Sequence, residues 1–168
     1  MRRAFTLIEM MISISILAIL MLFLYKSYAN LNKTNALYDN LSHAMIKNQK
    51  IKKTLYLDFS LALYKSITIL NQSQQVDVVF LQSTHSLHRR VNPYIAYVVK
   101  DEKLYRVESK DKFVSYPFAS IKSYDVDYLG KVKRFRIYKA KSKPLYLMDV
   151  VFQDKKELLQ KVKVLNEY

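Results

Sequence analysis

Glu9 is the only charged residue in positions 5–25 of this 168-residue chain. From position 10 to position 25 only Ser13 and Ser15 interrupt the apolar run. A carboxylate inside such a segment costs roughly 2.5 to 3.5 kcal/mol on insertion scales, so it points to a function and a partner. Other residue types that carry chemistry are thinly placed. His43, His85 and His88 have no motif companions: there is no His-Glu-x-x-His, no phosphate-binding glycine loop and no nucleophile elbow. One glycine in the whole chain makes loop-built active sites hard to form, and no cysteine offers a thiolate or a disulfide. Asp101, Glu102 and Asp111, or Asp125 and Asp127, offer oxygens of the kind Ca²⁺ takes, but lack an EF-hand order and read as solvated turns. We therefore expect no enzyme, no cofactor and no metal.

Basic residues are the other concentration. The chain carries 28 Lys and Arg against 14 Asp and Glu, a net charge of +14. Such a surplus favours nucleic acid or anionic lipid as a partner, and it also accompanies the Lys-, Ile-, Asn- and Tyr-rich composition of AT-rich genomes. Positions 131–143 hold seven basic residues, with Phe135 and Ile137 alternating with Arg134, Arg136 and Tyr138. That alternation predicts a strand with one buried and one basic face. Arg134, Arg136, Lys139 and Lys141 are candidates for weak DNA contact or for docking a neighbouring subunit. The plainer reading is a hairpin kept soluble by edge lysines.

The elements that position these residues begin at the N-terminus. Residues 5–25 as a helix span about 31 Å, the thickness of a bilayer's hydrocarbon core. Arg2-Arg3, then Phe5-Thr6-Leu7-Ile8-Glu9, then the apolar run resemble the prepilin leader of type IV pilins and type II secretion pseudopilins. The resemblance implies that a membrane prepilin peptidase cuts between Ala4 and Phe5 and methylates the new Phe5 amine. The family usually has Gly before the cut, where this chain has Ala4. Glu9 would then pair with a cationic amine, its own at i−4 or, as the resemblance favours, that of a neighbour in a filament of parallel helices. The absence of cysteine tilts the resemblance towards pseudopilins, since many type IV pilins carry a disulfide. A competing reading takes Arg2-Arg3 and the apolar run as a secretory signal, with cleavage after Ala29 releasing a soluble protein.

No Gly or Pro precedes Pro93. Leu24, Tyr28, Leu31, Tyr38, Leu41, Met45, Leu55, Phe59 and Ala62 follow one near-heptad stripe, which predicts a single helix over about 5–69. From residue 76 the period becomes two. Strands are expected at 76–81, 94–99, 104–107, 118–128, 134–138, 146–152 and 158–165, with a loop at 85–90, a hairpin turn at 100–103 and a further turn at Gly130. The expected fold class is α+β: a long N-terminal helix, its first half transmembrane, packed on a C-terminal antiparallel β head. The expected division is a leader at 1–4, a transmembrane or filament-core helix at 5–25, an amphipathic helix at 26–70 and the β head at 71–168.

Within the head, Leu55-Tyr56-Leu57-Asp58-Phe59, Tyr97-Val98-Val99 and Leu104-Tyr105-Arg106 are similar to segments of the J-type minor pseudopilin of type II secretion and the W-type minor pilin. Asp58 reads either as part of that pattern or as a solvated helix residue. The resemblance implies a minor subunit of the bacterial inner membrane, with its N-terminus cytoplasmic and its head periplasmic. Prepilin peptidase and other major and minor pseudopilins would be its partners. It would be extracted into a periplasmic pseudopilus for protein secretion or DNA uptake. A membrane-anchored binding module that never polymerises is the remaining alternative.

Overall fold

The structure, a computed structural model, describes residues 6–118, 123–141, 143–154 and 157–166. Among the described residues one helix, α1 (Leu7–Ser60), precedes a short 3₁₀ turn (Tyr64–Ser66) and seven strands. The strands are β1 (Thr68–Asn71), β2 (Asp77–Gln82), β3 (Tyr94–Lys100), β4 (Lys103–Ser109), β5 (Tyr124–Lys139), β6 (Leu145–Phe152) and β7 (Glu157–Lys163). They form one antiparallel sheet in sequence order, β1 to β7, so the expected α+β class is seen. The chain divides into two compact units, residues 1–48 and 49–168.

The first unit is helical, and its apolar side chains, from Leu7 through Leu17 and Leu24 to Met45, are exposed. Its Ser13 and Ser15 hydroxyls donate to the carbonyls of Glu9 and Met11 one turn back, at 2.8 and 2.9 Å. Each hydroxyl is thus satisfied inside the helix, which suits an apolar surrounding.

In the second unit the last turns of α1 lie on the sheet. Ile51, Leu55 and Phe59, spaced four apart, are buried against Val79, Leu81, Ile95, Tyr97, Leu104, Phe135, Tyr146 and Met148. Burying Leu55 and Phe59 contributes about 1.5–3 kcal/mol each. On the opposite face Val78, Phe80, Ala96, Val98 and Val107 pack with Phe113.

Three local expectations change. The helix ends at Ser60 rather than near Ile69. Beyond it the Leu63 amide donates to the Gln82 carbonyl at 2.9 Å, and Ile67-Thr68-Ile69, a β-branched run, enters β1 beside β2. Tertiary pairing therefore overrides the helix-forming residues that precede it. The 118–128 and 134–138 strands are one 16-residue strand, β5, which pairs with β4 in its first half and β6 in its second. Gly130 is no turn but lies inside that strand, opposite Leu104 where the β4–β5 register shifts. Its φ of +151° and the Phe152 ring carbons 3.2 Å from where a Cβ would stand explain the glycine. The expected hairpin is present, with Asp101 and Glu102 both at positive φ (50° and 59°), as a tight two-residue turn requires. The C-terminal segment is a strand, β7, as expected.

Candidate functional site

Glu9 sits in the first turn of α1 and closes on Thr6. The Thr6 amide and hydroxyl both donate to Glu9 Oε2 at 2.9 Å, and the Glu9 amide donates to Thr6 Oγ1 at 3.4 Å. Thr6-Leu7-Ile8-Glu9 is therefore a capping box: two helix-end amides with no partner in the helix are satisfied reciprocally. The Thr-x-x-Glu spacing carried that signal, and reading Glu9 only as an ion-pairing group passed over it. Ala4 and Phe5 lie outside the described residues.

The second site was only partly legible. Alternation along β4 places Leu104, Arg106 and Glu108 on the face that α1 covers, and the β4–β5 register sets Asp127 opposite Arg106 and Asp125 opposite Glu108. Asp58, from the last turn of α1, arrives over this row. Arg106 Nε donates to Asp58 Oδ2 at 2.7 Å and Nη2 to Asp58 Oδ1 at 3.3 Å. Arg106 Nη1 donates to Glu108 Oε2 at 2.7 Å and to Asp127 Oδ2 at 3.3 Å. The Tyr97 hydroxyl donates to Asp58 Oδ2. Asp58, Arg106 and Glu108 are fully buried, so the solvated reading of Asp58 does not hold.

The segment 83–93 between β2 and β3 is fastened onto this row. His85 Nδ1 pairs with Asp58, the Ser86 hydroxyl and the Leu87 amide donate to Glu108, His88 Nε2 meets Asp127 at 3.0 Å, and Arg90 donates to Asp125. Two histidines without motif companions thus have carboxylate partners, 27 and 39 residues away in sequence. Asp125 and Asp127, weighed as calcium ligands, face an arginine and a histidine instead.

Electrostatics follow the geometry. Burial opposes the charge on Arg106, but Asp58 and Glu108 outweigh it and hold the guanidinium more firmly protonated than usual. Burial, then the Asp58 charge, push the Tyr97 phenol well above its ordinary range, so it remains a donor. Burial would raise Glu108, yet hydrogen bonds from Ser86 and Arg106 bring it below the usual carboxylate range. Arg90 does the same for Asp125. Every described oxygen of Asp58 and Glu108 has a donor, so the cluster acts as a tie joining α1, β3, β4 and the 83–93 segment.

The basic hairpin shows the expected alternation, with Phe135 and Ile137 buried. Its arginines are engaged within the chain. Arg134 pairs with Asp149 at 2.9 Å. Arg136 donates to the Ser73 and Gln74 carbonyls at 3.1 and 3.0 Å, lies 3.4 Å from Asp77, and sits over the Tyr138 ring. Lys139 and Lys141 are exposed.

Residues 1–25 match the family model described as the prokaryotic N-terminal methylation motif. No curated protein and no solved structure matches the chain. The match supports a type IV pilin-like protein that prepilin peptidase processes and that assembles with other pilin-like subunits. α1 is long and apolar enough to cross a membrane, in keeping with a single-pass anchor.

Proposed function

We propose that the chain is a non-enzymatic minor pseudopilin. Prepilin peptidase cleaves it between Ala4 and Phe5, the Phe5 amine is methylated, and the apolar part of α1 first anchors it in the inner membrane and then enters a short pseudopilus. The machine is a type II secretion system or a DNA-uptake system. The observation that carries this reading is the methylation motif over residues 1–25, joined to a helix whose exposed apolar stretch at positions 7–25 contains one charge, Glu9. An exposed apolar helix needs lipid or neighbouring helices to cover it. The likeness of the Leu55–Phe59, Tyr97–Val99 and Leu104–Arg106 segments to J-type and W-type subunits gains interest because Asp58, Tyr97 and Arg106 meet in one cluster. Engagement of Arg134 and Arg136 by the chain's own acceptors favours a structural over a DNA-contacting role for that hairpin.

Glu9 tests the assembly step. In the filament its carboxylate turns from the Thr6 cap to the amine of a neighbouring subunit, an ion pair in an apolar setting. Glu9→Leu makes the span more apolar, so insertion is retained. Co-purification with the pilin-like partners should fall steeply, while the helix loses only its first-turn cap. Undiminished co-purification of the Leu variant would remove the pairing role.

A further inference from the structure

The 83–93 segment carries a surface that the tie beneath it does not use. Arg89, Arg90 and Val91, with Leu87, His88, Lys110 and Asp125, line a surface cleft of about 950 Å³. His88 and Arg90 are paired with the partly exposed carboxylates of Asp127 and Asp125, and the Arg90–Asp125 pair is neutral. Arg89 and Lys110 set the sign of the cleft: both are exposed, and among the described residues neither side chain has an ion pair or hydrogen bond. Val91 beside them is 91% exposed, more than any other large apolar side chain described.

The backbone that presents them is held in an uncommon form. Arg89 and Asn92 adopt left-handed φ values of 57° and 46°, although neither is glycine. Such conformations persist where surrounding contacts over-determine them. Here Ser86 accepts from the His88 and Arg90 amides, and four carboxylates, Asp58, Glu108, Asp125 and Asp127, fasten the segment from below. A loop fixed before it binds loses little freedom on binding.

We propose that this cleft docks an acidic segment of a partner protein, with carboxylates meeting Arg89 and Lys110 and an apolar side chain covering Val91 and Leu87. Charge complementarity selects the occupant. A nucleic acid draws affinity from many phosphate contacts, and two cations supply few. A polypeptide alternating acidic and apolar residues satisfies the cations and removes Val91 from water together. This inference does not depend on filament membership, because every residue in it belongs to the unit spanning residues 49–168.

The test uses the full chain in detergent at physiological ionic strength, where diffuse attraction to a basic protein is screened. The probe is a fluorescein-labelled peptide of alternating Glu and Leu. It should bind the unaltered chain, bind Arg89→Glu/Lys110→Glu about tenfold more weakly, and bind Val91→Ser more weakly. Lys52→Glu/Lys53→Glu, an equal charge change elsewhere on the same unit, should leave binding unchanged. Circular dichroism confirms that each variant is folded. An equal loss in both charge-reversal pairs, absence of binding by the unaltered chain, or displacement of the peptide by single-stranded DNA at lower concentration than by unlabelled peptide would each overturn the proposal.

Discussion

Arg106 is the residue on which the head's polar interior depends. It is fully buried and faces Asp58, Glu108 and Asp127 at once. Arg106→Met leaves those carboxylates without their counter-charge, and breaking a buried pair from one side costs about 3–5 kcal/mol. Thermal melting of the full chain in detergent should therefore shift strongly downward; an unchanged midpoint would show that the cluster is not structural. Acid acts on the same residues from the other side. Glu108 and Asp125 have pKa values below those of an unfolded chain, so their contribution is complete above the unfolded values, about 4.3 and 3.9, and is lost as pH falls through the folded ones. The melting midpoint should be insensitive to these two groups at neutral pH and decline below about pH 4. At this scale the sequence was informative only for neighbours. Thr6 and Glu9 are three apart and spell their own contact, whereas Asp58 and His85 are brought together by the fold alone.

Elements were more legible than their ends. A long helix free of breakers and the Asp101-Glu102 turn appear where patterning places them, whereas the strands begin at Thr68, ahead of the change of period read at residue 76. The end of α1 was not legible, since Leu61-Ala62-Leu63 favours helix intrinsically and distant backbone at Gln82, Ser83, Thr84 and Asn166 draws the chain away from it. Gly130 was misplaced for a related reason: glycine marks a turn or a close approach, and its neighbours do not say which. The close approach to Phe152 makes a prediction. Gly130→Ala forces a side chain into both an unfavourable φ and the Phe152 ring, and should cost about 1–3 kcal/mol of stability. A melting midpoint equal to the parent's would mean that the register shift beside Leu104 does not need glycine.

The whole molecule joins two units with different demands. In the first unit the described residues from Leu7 expose apolar surface and are suited to lipid or to other helices; the second unit buries its own core on both faces of the sheet. Hydropathy and period separate the apolar segment 5–25 from the strands, but they do not mark the boundary at residue 48, because one helix runs through it. What the first unit does in the cell depends on how its N-terminus is processed. Mass spectrometry of the mature protein from its own cells measures this directly. The account predicts a chain that begins at Phe5 and carries one N-methyl group. A mature chain beginning at Asn30, the product of signal-peptide cleavage after Ala29, would contradict it.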